Sequence, residues 1–311
     1  MGWQIRCLSC LFVIRVWVRY TVCPLTRRAQ AEVLLLLITL IWGSTFVIVK
    51  GALNDASPLA FIALRFSAAG ILLFALAGSR PGREDLVPGL VLGIFLGAGY
   101  LCQTTGLLYT TASKSAFITG FSVILVPVIL AFRGSRLRPA AGAGALLGLA
   151  GLYFLVTPSG LEGVNRGDVL TLIASVSFAF HIVLVGHYAR LSFLRLVPAQ
   201  VLLVGLVALS ALPFAGGLAL RWSPRLAIAL AITSVLATAF AFAAQSWAQR
   251  YTPAAHTALI FALEPVFAVI ASRLILGEHL GGKVLLGSTL TLSGMVVSEI
   301  WGGMGPSAVE G

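Results

Sequence analysis

Charge is what this chain has least of. Only 10% of its 311 residues are Asp, Glu, Lys or Arg and 59% are hydrophobic, whereas an ordinary soluble domain carries roughly 25% charged residues. A water-facing surface cannot be built from so few charges, so the chain reads as an integral membrane protein. Cysteine is scarce too. Of the 4 present, Cys7, Cys10 and Cys23 precede the apolar runs and Cys102 lies inside one. Cys7-x-x-Cys10 has metal or redox spacing, but no second pair and no nearby His completes a site, so no metal or cofactor is expected. No Walker loop occurs, which excludes an ATP-driven machine acting by itself. A membrane enzyme would show paired carboxylates, a His-Glu-x-x-His or a Ser/His constellation. None is there: apart from Asp168 at the edge of one, Glu264 and Glu299 are the only acids inside the apolar runs. A channel would repeat its selectivity elements, and none is visible. The run GAGALLG from Gly142 has no βαβ context to make it a dinucleotide loop.

What is present is hydrocarbon-length sequence. Apolar segments of about 20 residues, each able to cross a ~30 Å core, fall at 33–52, 58–77, 87–107, 114–132, 140–157, 168–187, 196–215, 225–246, 255–275 and 283–301. The loops between them are short, leaving no room for a soluble domain. The net charge of +11 is spread over these loops with no basic stripe, so it speaks for topology rather than nucleic acid. With a cytoplasmic amino terminus, 13 of the 21 basic residues face the cytoplasm and 7 the opposite side, Arg65 lying inside a span. Both termini are therefore expected in the cytoplasm. Much of that bias rests on the cluster Arg133, Arg136 and Arg138. Residues 1–30 form a basic extension whose apolar stretches are interrupted by Arg6, Arg15 and Arg19. This extension reads either as an interfacial helix or, preferably, as an upstream product of start-site choice, with the working chain beginning nearer Pro24; residues 302–311 are a short tail.

The chain also repeats itself. At a shift of 136, AEVLLLLI from Ala31 meets GDVLTLIA from Gly167, pairing Glu32 with Asp168. At a shift of 142, QTTGLLYTTA from Gln103 meets QSWAQRYTPA from Gln245, pairing the two glutamines, Tyr109 with Tyr251 and Thr110 with Thr252. At 143, Gly144 and Gly151 meet Gly287 and Gly294. Apolar composition alone would not align Gln, Tyr and Thr. Two units result, 31–158 and 167–301, each with five spans. Five is odd, so the second unit enters the membrane from the opposite face. The expected fold is an all-α membrane protein of ten transmembrane helices arranged as two inverted five-helix repeats, an organisation typical of secondary transporters with a site near the midplane. Gly89, Gly93 and Gly97, and Gly144 with Gly148, recur every four residues, the spacing of small-residue helix packing.

The segments LLLLITLIWGSTFVIVKGAL, SPLAFIALRFSAAGILL, YTTASKSAFITGFSVILVP, GDVLTLIASVSFAFHIVLVGHYA and ALIFALEPVFAVIASRLILGE resemble the EamA-type transporters of the drug/metabolite transporter superfamily. The landmarks are Trp42-Gly43-Ser44, Pro58, Arg65, Glu264-Pro265 and Leu276-Gly277-Glu278, and the resemblance runs from about residue 32 to residue 301. It implies a ten-helix inverted-repeat exporter or importer in a bacterial inner membrane, both termini cytoplasmic, moving small metabolites through a central cavity. The first half departs from the pattern after its fourth span, where Arg133-Gly134-Ser135 replaces Leu-Gly-Glu. Transport, most plausibly export, of a small metabolite or drug-like solute by a monomer or homodimer, with protons as a coupling ion, is the expected function.

Polar residues in the spans are the candidate route, because a charge at membrane depth costs roughly 2.5–3.5 kcal/mol on insertion scales. Glu264 sits mid-span in the ninth segment with Pro265 beside it to bend or break the helix; the matching position of the fourth segment offers Ser122, with Pro127 five residues later. Lys114 and His256, related by the shift of 142, open the fourth and ninth segments and are expected to face the route. His181 aligns with Thr45 and can titrate near neutral pH. Gln103 and Gln245 either bind solute or tie the third and eighth spans together. Trp42, Tyr100 and Phe178 are candidate cavity walls ranked below the charged set. Arg65 is expected to be structural, anchored by a carbonyl or carboxylate. Lys50 is expected to snorkel.

Overall fold

The computed structural model describes residues 26–77, 82–134, 139–156, 164–277 and 281–300. In chain order its helices are α1 Arg27–Ala52, α2 Pro58–Ala77, α3 Arg83–Gly106, α4 Ala112–Phe132, α5 Pro139–Val156, α6 Arg166–His187, α7 Phe193–Ala211, α8 Pro224–Ala248, α9 Ala254–Leu276 and α10 Gly282–Ile300. Among the described residues, eight of these, α1 to α4 and α6 to α9, are long and apolar enough to cross a membrane. Many of their large apolar side chains, Ile71, Ile94, Leu206 and Leu274 among them, point away from the core, as lipid-facing residues do. The chain is an all-helical, multi-pass membrane protein. Residues 1–25, the side chain of Glu299 and Glu278 of the Leu-Gly-Glu landmark lie outside the described residues.

Local sequence sets the helix ends. Thr111 opens α4 by accepting from the Lys114 amide at 3.1 Å. Asn165 and Asp168 form a reciprocal capping box at the start of α6, and Ser223 caps α8 through the Leu226 amide. The two glycines Gly134 (φ 94°) and Gly277 (φ 65°), 143 residues apart, follow α4 and α9 in the left-handed conformation that glycine adopts without strain.

Packing follows the small residues. α2 lies along α7, α3 along α6 and α7, α1 along α8 and α9, and α5 along α10. A Cβ added at Gly151 would stand 2.5 Å from the Thr291 amide, and one at Gly294 would stand 2.5 Å from the Gly144 carbonyl. The glycines that the sequence aligns at a shift of 143 are thus the ones that bring α5 and α10 into backbone contact.

Both α4 and α9 are interrupted by a tightened turn whose residues stay near helical dihedrals. In α4 the interruption is at Phe121, between Ala112–Gly120 and Ser122–Phe132. In α9 it is at Ala262 and Leu263, between Ala254–Phe261 and Glu264–Leu276. Phe121 and Leu263 are 142 residues apart. In α9 the interruption falls in the turn ahead of Pro265, where its ring and missing N–H disturb the carbonyl four residues back; in α4 no proline stands beside it. Pro127 is carried inside its helix six residues past the break. Pro265 lies in the first turn of the new helix, where proline is tolerated.

Outside the bilayer core, the α1–α2 loop is clamped to the α7–α8 connection. The Arg221 amide donates to the Asp55 carbonyl at 2.7 Å and the Ser57 amide to the Ala219 carbonyl at 2.9 Å. The Asp55 carboxylate accepts from the Ser223 hydroxyl at 2.7 Å and from Arg221 at 2.9 Å. These contacts, the Ser223 hydroxyl first and the guanidinium next, hold its pKa below the ordinary carboxylate range. The folded state therefore binds this proton less readily than the unfolded chain does. The stabilisation is complete above an unfolded pKa of about 3.9 and is lost as pH falls through the lower folded value. Asp55→Asn is expected to lower the thermal midpoint at neutral pH, with the deficit shrinking as the pH drops through that window. Midpoints that differ by a constant amount from pH 7 to pH 3 would remove this role.

Candidate functional site

The breaks and the close-packed helices leave a cavity of about 740 Å³, its open mouth included, between α1, α2, α3, α4, α6, α8 and α9. Five of the eight expected route residues line it: Trp42, Gln103, His181, Gln245 and Glu264. Arg65, Tyr100 and Phe178 line it as well. Lys114, His256 and Pro265 are not among its walls.

Trp42 is held by its indole N–H, which donates to the Ala237 carbonyl at 2.8 Å. That carbonyl belongs to a π-helical turn of α8 over Val235–Phe240, where the backbone pairing shifts from i+4 to i+5. The same turn serves Arg65, which is 3% exposed. Its guanidinium donates to Thr238 Oγ1 at 2.8 Å, to the Tyr100 hydroxyl at 3.3 Å and to the Ala237 carbonyl at 3.4 Å, and it lies 4.6 Å from the centre of the Tyr100 ring. A buried cation with four such contacts is anchored, as expected for a structural charge. Gly43, next to Trp42, lets α1 approach the second half of α9 so closely that a Cβ there would lie 2.6 Å from the Glu264 carbonyl oxygen.

Rings form one side of the cavity. Trp42 packs against Phe242 and Phe261 with centroids 5.4 and 5.1 Å apart, and Tyr100 meets Phe178 at 5.3 Å. On the polar side His181 Nε2 is 2.8 Å from Gln200 Oε1, and Gln103 donates to Thr119 Oγ1 at 3.1 Å. Gln245 donates to Gln249 at 3.0 Å, one turn along, and Gln249 donates to the Ile182 carbonyl. The two repeat-related glutamines therefore do not tie α3 to α8. One binds the neighbouring α4, the other its own helix, because the cavity separates them.

Two acceptors in this wall are left over. Gln245 is 1% exposed and its Oε1 has no hydrogen-bond partner. Glu264 faces the cavity, and among the described residues nothing donates to its carboxylate or pairs with it. Arg65 forms no ion pair with it among the described residues: its Nε donates to Thr238 and one terminal nitrogen to Tyr100 and Ala237.

The remaining charges find other places. Lys114 Nζ lies 2.7 Å from Asp168 Oδ2, and His256 Nε2 lies 3.1 Å from Glu32 Oε1. Lys50 turns inward instead of snorkelling and donates to the Leu107 and Thr110 carbonyls that follow α3, where a cation satisfies the end of a helix. Sequence reasoning missed Thr238, Phe242 and the Ala237 carbonyl. Nothing in the one-dimensional pattern marks the π turn that presents them.

A helical bundle enclosing a polar, ring-walled cavity around a solitary carboxylate defines a membrane protein that handles a solute. The profile of the EamA-like transporter family matches twice, over residues 29–157 and 165–299, and the chain belongs to that family. It is 37% identical over 278 residues to an uncharacterized transporter of Archaeoglobus fulgidus, spanning 88% of this chain and 87% of that one. It is 28% identical over 260 residues to the uncharacterized inner membrane transporter YedA of Escherichia coli K12, covering 79% and 81%. A solved crystal structure superposes with a TM-score of 0.68 at 19% identity, covering 89% of this chain and 99% of the other, a likeness of fold. The chain is a membrane transporter.

Proposed function

We propose that this transporter is a secondary exporter of a small metabolite or drug-like solute, working by alternating access through the cavity. Units 31–158 and 167–301 act as inverted five-span repeats in this reading, giving ten spans with both termini cytoplasmic, in a bacterial inner membrane, as a monomer or homodimer. The sequence shifts of 136 and 142, and the breaks of α4 and α9 at positions 142 apart, support the repeat. The inner-membrane designation of YedA supports the location.

One observation carries the functional reading: the Glu264 carboxylate stands at mid-depth in the cavity without a partner. A bare charge there is costly, so its working cycle supplies a proton, a cationic solute, or each in turn. The unpartnered Gln245 oxygen adds a second acceptor. Both call for donors, so a solute bearing a protonated amine, with an apolar body to lie against Trp42, Phe242 and Phe261, fits this wall. A zwitterion carrying such an amine and a simple organic cation are both of this class.

The test is a screen of amines, amino acids and organic cations against purified protein by thermal shift, followed by flux in liposomes. A true ligand raises the midpoint with concentration by mass action and moves across the membrane down an imposed pH gradient. If amine-bearing compounds neither stabilise nor cross while neutral or anionic metabolites do, the proposed chemistry of the wall is wrong.

A further inference from the structure

Lys114 and His256 are related by the shift of 142, and their partners Asp168 and Glu32 are related by the shift of 136. Two ion-pair positions are thus copies of one another, and each joins one repeat to the other: Lys114 of α4 to Asp168 of α6, and His256 of α9 to Glu32 of α1. They sit at opposite ends of the cavity. Glu32 lies near the start of α1. Lys50, near its end, binds the Leu107 and Thr110 carbonyls, and the Thr110 hydroxyl donates to Asp168 at 3.0 Å. From Glu32 to Lys50 is about 27 Å at ~1.5 Å per residue, close to the depth of a hydrocarbon core. Between them lies Gly43, against the Glu264 carbonyl.

Each pair is carried by a short piece of chain that a tightened turn sets off from the rest of its helix. Lys114 belongs to Ala112–Gly120, which ends at the Phe121 break, and His256 belongs to Ala254–Phe261, which ends at the Ala262–Leu263 break. The residues that resume each helix, Ser122 and Glu264, line the cavity. A segment set off by a tightened turn at the cavity, and in the case of Ala112–Gly120 buried against α6 and α9, cannot move while its far end is tied. The other ion pairs between the two units are differently placed: Arg195 to Asp85 at 3.0 Å and Arg221 to Asp55 at 2.9 Å sit on α3, α7 and loops with no break beside them.

We propose that Ala112–Gly120 and Ala254–Phe261 are the two gates of the route, hinged at the repeat-equivalent breaks and latched by Lys114–Asp168 at one face and by His256–Glu32 at the other. This rests on the alternating-access reading, but its test needs no solute. Both pairs are closed in this structure. The latches are unequal. In the Lys114–Asp168 pair the side chains are 13% and 1% exposed, against 31% and 34% in the His256–Glu32 pair. Asp168 also accepts from Asn165 and Thr110, so its end is the drier and the better braced.

The experiment places a single reporter cysteine at Ser122, in a background with Cys7, Cys10, Cys23 and Cys102 replaced by Ala. The rate of labelling by a charged, membrane-impermeant maleimide is read in right-side-out and in inverted vesicles. Lys114→Met raises labelling from one face and His256→Phe from the other, each by at least about fivefold, the range of an ordinary coupling between sites. Lys114→Arg and His256→Lys, which place a cation opposite each carboxylate, restore the parental rates. Where Lys114→Met does not give a monodisperse protein, Lys114→Gln takes its place. Labelling that rises from the same face in both variants, or in neither while the cysteine reacts freely in detergent, overturns the gates. A failed solute screen leaves this readout intact, so the two readings fall separately.

Discussion

Glu264→Gln is expected to abolish gradient-driven transport, by more than about tenfold, in a protein that still folds and still presents its cavity. The substitution keeps the shape of the side chain and removes both its charge and its capacity to carry a proton. No folded-state ion pair is broken by it among the described residues, because the carboxylate faces the cavity without one. Removing an unpaired charge from membrane depth relieves a cost, so the thermal midpoint should hold or rise. Falling transport with rising stability is the signature of a group kept for function. The measurement is uptake into liposomes with and without a pH gradient, beside the melting curve. Full gradient-driven flux in the Gln variant sinks proton coupling at this site. Loss of the gradient response alone, with downhill flux of the solute retained, assigns Glu264 to coupling. Loss of both assigns it to binding as well.

Gly43→Ala is the second large effect, and it comes from backbone contact. The added Cβ would lie 2.6 Å from the Glu264 carbonyl oxygen, 2.8 Å from Phe267 Cβ and 3.1 Å from the Ala268 amide nitrogen. Two of those atoms are main chain in the first turns of a helix and cannot move singly. α1 and the second half of α9 must therefore separate, a packing strain of about 1–3 kcal/mol. That half of α9 begins at Glu264, so the separation moves the carboxylate relative to Trp42 and the rings. A lower thermal midpoint and a several-fold drop in transport are expected together. Flanking Ser44→Ala serves as the control. A variant with unchanged melting and unchanged flux would show that α1 and α9 are not held at this distance.

Much of the site was legible because it consists of residues that violate a rule. A carboxylate, an arginine, a histidine and two glutamines in hydrocarbon-length sequence stand out, and Glu264, Arg65, His181, Gln103 and Gln245 all meet in one cavity. Lys114 and His256 break the same rule, yet they form no part of the cavity wall and pair with Asp168 and Glu32 instead. Charge in a span shows that a reason exists. Which reason depends on the neighbour, and the neighbours Asp168 and Glu32 are 54 and 224 positions away in the chain. The aromatic walls were weaker signals, because rings in apolar helices pack far more often than they bind.

By itself the sequence determined the helical, membrane-crossing character, the segment boundaries to within a few residues, and the glycines that bring α5 and α10 together. All of these follow from local composition and from the period of a helix, properties that each segment carries alone. The tertiary structure decided the rest. It interrupted α4 at Phe121 with no proline beside it. It placed one carbonyl of the π turn in α8 within reach of both Trp42 and Arg65, and it gave Lys114 and His256, each at a helix start, an acid from the other unit. Those outcomes depend on which helix lies against which, and a side chain buried beside a distant partner takes its role from the partner.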